Sequence, residues 1–595
     1  MKNIVYILLL MTYFLSSCIK DVLDKKPLDI ISDAVLWNDQ ALIDAYLAQC
    51  YDEIGFINDV EYDRQDPTDW KSGANARTYV GLFAQTCIAD ECTSGSWWEF
   101  TGKSFQFTTT YAFNEWWGYP TIRKLNVFLE KMPASTINAD QITRRIAEAR
   151  FLRAYAYFCM VKRYGGVPLI TKAQSLDASH EELYAKRDKE EVIYDFIISE
   201  IDAFANDLED GQNDGGRPTK YAALALKSRA TMYAGSIASW GQVQLEGILG
   251  IPSDKSQQYW QKSYDASESI INSGMFVLYN KIPDDKVANF RNIFLDENNQ
   301  EVIFSEIYEG TGGKAHSWDM LNGPYGYNSW GCGGASVAYL EMVEEFENKD
   351  GSSGIIDRQK IENGDLWTME ELFGNKDPRF HASILTQGDT WIGHTIETYK
   401  GIITEDGTIT QNDYKGLSGW GYCTTTWGDY GGTPFTILKY MDEPIAIVQG
   451  LATSRTDWIV FRYAEILLNF AEAAFELGKT AEALNAVNQI RIRAGIAPLT
   501  SIDRNKIRHE RKVELAFEGN RYWDVRRWRT AVTDLSIPFS GMNFILDYTS
   551  RKFKLQINQN HEGLPTPVFL PRNYYMPIRL VRTNNNPNLV ENPGY

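Results

Sequence analysis

Three aromatic-rich stretches carry the residue types best suited to recognition. The first holds the adjacent rings Trp97 and Trp98, set between Gly95-Ser96 and Glu99. The second holds Trp318, Tyr325, Tyr327 and Trp330, with Asn322 and Asn328 among them. The third holds Trp420 and Trp427. A flat ring gives the apolar C–H face of a sugar something to lie on, while amides and carboxylates meet the hydroxyls around its rim. By analogy with aromatic pairs, one such contact contributes about 0.5–1.5 kcal/mol beyond area burial, so several are needed. Glycines in the same loops allow close backbone approach. The competing use of each ring is as an anchor that pins its loop to a scaffold.

Covalent chemistry finds less support. The six histidines form no HExxH pair, and neither a GxxxxGK[ST] phosphate loop nor a GxSxG elbow is present. A glycosidase needs two carboxylates about 5–10 Å apart, and 78 acidic residues leave that possibility open. Asp296-Glu297 with Glu301 lacks the spacing of an EF-hand loop and reads as a solvated acidic loop. No pair of CxxC units indicates structural zinc. No metal or cofactor is expected. Cys50 and Cys159 fall in helical patterns as buried thiols, whereas Cys87 and Cys92 are close enough in sequence that a bridge stays open. A net charge of −19 argues against a nucleic-acid partner, which needs clustered Lys and Arg.

The elements that must hold these loops are mainly helical. Of 595 residues 44% are hydrophobic, ample for a large core. From Tyr463 the chain reads as a helical hairpin: Ile466, Phe470 and Ala474, then Leu484, Val487 and Ala494, recur at helical spacing. Gly478 suits the end of the first helix and Thr480 the cap of the second, with small Ala471 and Ala483 where the two cross. This pattern fits one tetratricopeptide-type unit. Further helices are expected over 38–54 with Asn38 as cap, over 111–131 with Pro120 as a kink, over 140–164, over 188–204 with a capping box of Asp188 and Glu191, over 219–236, over 260–273 and over 337–347. Between 309 and 434 long Gly- and aromatic-rich segments interrupt the helices, too aromatic for disorder.

The first residues form a targeting segment. Lys2 precedes an apolar run, Ile4 to Leu15, that is too short to span a bilayer. Leu15-Ser16-Ser17-Cys18 resembles a bacterial lipobox, with Cys18 as the acylated residue. Residues 1–17 then form a lipoprotein signal peptide and 18–31 a polar tether. Lys20-Asp21 with Asp24 partly resembles an acidic surface-export tag.

One further stretch carries a resemblance. ERKVELAFEGNRYWDVRRW sets Glu510, Arg511, Glu514, Glu518, Arg521, Asp524, Arg526 and Arg527 around Leu515, Phe517, Trp523 and Trp528. With EARFLRAYAYFCMVKRYGGVPL, GRPTKYAALALKSRATMYAG and the ending MPIRLVRTNNNPNLVENPGY, it resembles the SusD/RagB family of Bacteroidetes nutrient-binding lipoproteins. The resemblance implies a mainly α fold: a tetratricopeptide-like scaffold of helical hairpins, with long aromatic and Gly-rich loops and minor β. Its N-terminal helical region would run over 32–308 and its C-terminal region over 309–595, as one compact unit. It also implies a lipid-anchored, surface-exposed protein of the outer membrane that binds oligosaccharide without covalent chemistry. That cargo would pass to a SusC-like TonB-dependent transporter. Peptide capture, as in RagB-like members, and a surface-anchored glycoside hydrolase are the alternatives. Arg379, in Lys376-Asp377-Pro378-Arg379, reads as a turn salt bridge.

Overall fold

A computed structural model describes residues 33–56, 86–94, 107–110, 115–212, 215–297, 299–324, 336–410, 416, 433–446, 453–561 and 566–595. The targeting segment, Cys18 and the tether lie outside these residues. The longer described helices of the N-terminal half are α1 (Gln40–Ile54), α2 (Tyr119–Lys131), α3 (Ala139–Tyr164), α4 (Glu190–Phe204), α5 (Lys220–Trp240) and α6 (Ser256–Ser273). The inward stripe of α1 is Ile43, Leu47, Cys50 and Ile54. Its cap is Asp39, which accepts from the amides of Ala41 and Leu42. The expected cap, Asn38, instead accepts from the Thr136 amide 2.8 Å away. Pro120 sits in the first turn of α2, not in its interior, so Trp116 and Trp117 precede the helix. A first-turn amide has no intrahelical partner to lose, which is why proline is tolerated there.

The cap expected from Asp188 is also corrected, because its carboxylate accepts from the Leu169 amide at 2.9 Å and α4 starts at Glu190. Thr219 does cap α5, and Gly274, at φ 67°, closes α6. Helices α3, α4, α5 and α6 pack in succession. The crossing of α5 on α6 is close enough that a Cβ at Gly235 would lie 2.9 Å from the Trp260 ring.

The C-terminal half adds α7 (Trp318–Asn322), the hairpin α8 (Tyr463–Glu476) and α9 (Thr480–Ala494), then α10 (Arg504–Glu514) and α11 (Arg521–Arg527). The hairpin forms as the spacing predicts, with Gly478 at φ 79° and with Ala471 and Ala483 fully buried. Thr480 makes no cap; the N-cap position is Lys479, with no side-chain bond. Helix α8 packs on α6, so the stack runs through both halves.

The strands are short. They include β1 (Cys92–Ser94), β2 (Val302–Glu306), β3 (Ser336–Ala338), β4 (Ile384–Leu385), β5 (Thr436–Ile437), β6 (Trp458–Arg462), β7 (Gly541–Asp547) and β8 (Phe553–Asn558). One antiparallel sheet has the order β1-β3-β5-β4, and β2 pairs antiparallel with β6. The hairpin β7–β8 is the centre of a five-stranded sheet, in which β7 runs parallel to Ile402–Ile403. The helix expected over 337–347 is only Leu340–Glu345, because 336–338 belong to β3. Among the described residues no helix is long and apolar enough to cross a membrane.

Charged side chains form part of the interior. Glu514 of α10 takes Arg462 at 2.7 Å through one oxygen and Arg379 at 2.9 Å through the other, and also pairs with Arg493. Arg462 reaches Glu301 at 2.8 Å and Glu518 at 2.7 Å, and Lys439 joins Glu518 at 2.9 Å. Arg379 also meets Asp377 and Glu510, so its expected turn salt bridge is one spoke of a wider network. A second cluster has Glu472 gripping Arg527 through both oxygens and accepting from the Trp528 indole at 2.7 Å. Burying a charge is costly unless it is paired and hydrogen-bonded, and each of these is. Glu301 is thus fully buried against Arg462 and Arg493, which corrects its reading as part of a solvated loop.

Candidate ligand-binding site

The pairing of β1 with β3 sets the geometry of the candidate platform. Cys92 faces Ala338, Thr93 faces Val337 and Ser94 faces Ser336, in antiparallel register. The end of β1 and the start of β3 are therefore neighbouring tether points. The segment with Trp97 and Trp98 starts from Ser94, and the segment with Tyr325, Tyr327, Asn328 and Trp330 ends at Ser336. The segment with Trp420 and Trp427 joins the sheet differently. Antiparallel pairing of Thr436 with Val337 brings it in at the other end of β3, where the Thr433 hydroxyl donates to the Ala338 carbonyl at 2.8 Å. Trp97, Trp98, Tyr325, Tyr327, Asn328, Trp330, Trp420 and Trp427 themselves lie outside the described residues.

Trp318 and Asn322 are described, and the structure corrects both. Trp318 is 2% exposed, and its indole N–H donates to the Lys439 carbonyl at 2.9 Å. It is an anchor with no free face for a ligand. Asn322 is buried on the same short helix, with its amide oxygen accepting from the Ser336 amide at 3.0 Å and its nitrogen donating to the Trp318 carbonyl at 3.2 Å. Asn322 therefore positions the start of β3, and Trp318 pins the short helix to Lys439, instead of meeting hydroxyls.

Other side chains brace the same sheet end. The Asp319 carboxylate accepts from the Asp442 amide at 2.6 Å, and the Ser454 hydroxyl accepts from the Asp319 amide at 3.0 Å. Burial pushes the Asp319 carboxyl up to about 7. His316 is buried against the Thr456 carbonyl, and burial lowers it to about 4, so it is neutral at physiological pH. Next to β1, Glu91 accepts from the Phe517 amide at 2.9 Å, and burial raises its carboxyl to about 8. Phe517 is held at φ 63°, a conformation a non-glycine residue adopts at a cost of about 1–2 kcal/mol. Its neighbours Glu514 and Glu518 belong to the ion-pair network, so that network and β1 share one turn. Asp90 extends the link, taking Lys512 at 2.9 Å and Arg521 at 2.8 Å. Cys87 and Cys92 are unlinked thiols with sulfurs 3.4 Å apart. Glu91 and Asp319 were not visible as positioning residues in the sequence, because nothing local distinguishes a buried carboxylate from the many exposed ones.

A stack of helical hairpins that carries small sheets defines a class, and comparison with known proteins identifies it. Residues 300–595 match the model of the SusD family, and residues 23–232 match a second model described as starch-binding associating with outer membrane. The chain belongs to the SusD/RagB family. A SusD-like protein of Bacteroides ovatus is 23% identical over 542 residues, covering 89% of this chain and 83% of that protein. SusD-like protein P38 of Formosa agariphila is 25% identical over 577 residues, covering 91% and 93%. The crystal structure of a SusD-like protein from Bacteroides fragilis superposes with a TM-score of 0.71 at 25% identity, covering 96% of this chain and 100% of that one. A laminarin-binding SusD-like protein shares the fold, with a TM-score of 0.58 at 20% identity, covering 94% and 100%.

Proposed function

We propose that this chain is a glycan-binding lipoprotein of the outer membrane. It is anchored through Cys18, faces outward, and passes oligosaccharide to a SusC-like TonB-dependent transporter without cleaving it. The observation that carries the platform is the β1–β3 register, which ties two of the three aromatic segments to one sheet end. The family description, starch-binding associating with outer membrane, supports ligand class and location, and the relative named for laminarin binding supports the ligand class. Trp97, Trp98, Tyr325, Tyr327 and Trp330 supply ring faces in this reading, with Asn328 at the rim. Trp420 and Trp427 approach from the other end of β3 and extend the platform.

Affinity electrophoresis of the purified chain against a polysaccharide panel tests the reading. Retardation by at least one glycan is expected, together with its loss in the Trp97→Ala, Trp98→Ala, Trp330→Ala triple variant. Unchanged retardation in that variant rejects the platform. Saturable binding of peptides but not glycans transfers the protein to peptide capture, and release of reducing ends by the purified chain makes it a hydrolase.

A further inference from the structure

A concavity lies between the start of α2, the segment after α3 and the helix Leu580–Asn585 near the C-terminus. It encloses about 420 Å³, within the ~300–1,000 Å³ range of small-molecule sites. Trp117 and Tyr119 form an aromatic wall, their ring centroids 5.2 Å apart. Edge-on packing of Trp117 against Tyr164 at 5.1 Å, and the Tyr119 hydroxyl donating to the Pro168 carbonyl at 2.5 Å, hold that wall in place. The other walls are largely aliphatic.

The charges around this cleft run against the charge of the molecule. The chain carries −19 overall, yet Arg123, Lys172 and Arg582 line the cleft and no carboxylate does so among the described residues. Arg582 lies 5.1 Å from the Trp117 ring centroid and is braced from behind by Glu115 at 3.4 Å. Arg123 donates to the Gln174 carbonyl at 2.5 Å. Both Arg123 and Lys172 are exposed, without a carboxylate partner among the described residues. The exposed amide of Asn585 supplies a donor and an acceptor at the rim. Cations left unpaired beside an apolar ring wall suit a ligand with one anionic group and one apolar face.

We infer that this cleft binds an acidic sugar unit, a pyranose carrying a carboxylate or a sulfate ester, as a second site separate from the loop platform. The inference rests on the proposed glycan reading for its ligand class, while the cleft's position is independent of the aromatic loops. The anionic group meets Arg123 and Lys172, the ring lies against Trp117 and Tyr119, and Asn585 meets a hydroxyl. Attraction between exposed charges is modest and screened by salt, so the preference for the acid is expected to weaken as salt rises.

Isothermal titration of the full mature chain tests this with three probes of equal length: an oligoglucuronide, a sulfated gluco-oligosaccharide and the neutral gluco-oligosaccharide. At least one acidic probe is expected to bind about tenfold tighter than the neutral one, and whichever binds tighter identifies the anionic group. The Arg123→Gln, Lys172→Gln double variant loses that preference, while the charge-keeping Arg123→Lys, Lys172→Arg variant retains it. The Trp97, Trp98 and Trp330 triple variant also retains it. Equal binding of all three probes, no binding of either acidic probe, or a preference that survives the double variant overturns the inference. If the acid preference persists while the triple variant leaves glycan retardation unchanged, the cleft stands and the loop platform falls.

Discussion

The same residue types are used in opposite ways at two places in this molecule. Around Glu514 the arginines are buried and ion-paired: Arg379, Arg462 and Arg493 each meet more than one carboxylate. Around Trp117 the cations Arg123 and Lys172 are exposed and face no carboxylate among the described residues, in a cleft with an aromatic wall. A buried guanidinium shared among several carboxylates holds elements together and is closed to a ligand. One left unpaired beside a ring costs little stability and is available for recognition. Residue type therefore does not separate framework from site here; the partners do.

The largest expected effect lies in the network. Glu514→Ala strips a shared carboxylate from three arginines and leaves buried charge uncompensated, which costs about 3–5 kcal/mol. A urea midpoint that moves by less than ~1 kcal/mol equivalent would show that the arginines find water or other partners. Acid acts on the same groups. Neighbouring cations hold the Glu514 and Glu472 carboxyls below their ordinary value. Their contribution is present above the unfolded carboxylate pKa of about 4.3 and is lost as pH falls below it. By contrast, Arg123→Gln with Lys172→Gln is expected to leave the midpoint within about 0.5 kcal/mol, as for surface changes.

The next effect is on binding. Removing three rings that each contribute about 0.5–1.5 kcal/mol predicts at least a tenfold loss of glycan affinity in the Trp97, Trp98 and Trp330 triple variant. Stability should barely move if those rings face solvent. A large drop in melting temperature with unchanged affinity would place them on the framework side of the comparison.

A smaller effect tests the brace between network and platform. Burial raises the Glu91 carboxyl to about 8, with Asp90, Arg521 and Lys512 as its nearest charges and the Phe517 amide as its donor. A raised carboxyl contributes stability that is complete below about pH 4.5 and lost as pH rises through about 8. Glu91→Gln removes that loss, so the variant should gain on the wild type between about pH 5 and about pH 9. A difference in midpoint that stays constant across that span would mean Glu91 is ionised in the folded protein.

The sequence made the apolar framework legible and left the polar interior obscure. Helical spacing marks faces such as Ile43, Leu47 and Cys50, and it located α8 and α9 closely. It is silent on why Glu510, Arg511 and Glu514 are buried, since their burial depends on partners as far as 135 residues distant, such as Arg379 for Glu514. The capping pattern at Asp188 was a true local signal overridden by a tertiary bond to Leu169. Two- and three-residue strands such as β1 and β3 fall below any periodicity, so the register that joins two loops could not be read in advance.

Trp318 provides the finest test, because by sequence alone it belongs with the platform rings. Its Nε1–H donates to a buried carbonyl and its ring is enclosed, so it stands with the framework. Trp318→Phe keeps an aromatic ring and removes that donor, which costs about 1 kcal/mol and leaves the Lys439 carbonyl unsatisfied. Glycan affinity should be unchanged, because no ring face is lost from the platform. If the variant instead kept its stability and lost affinity as the loop variant does, burial in this structure would be a poor guide to which rings meet ligand. The division drawn between Trp318 and Trp330 would then fail at its first application.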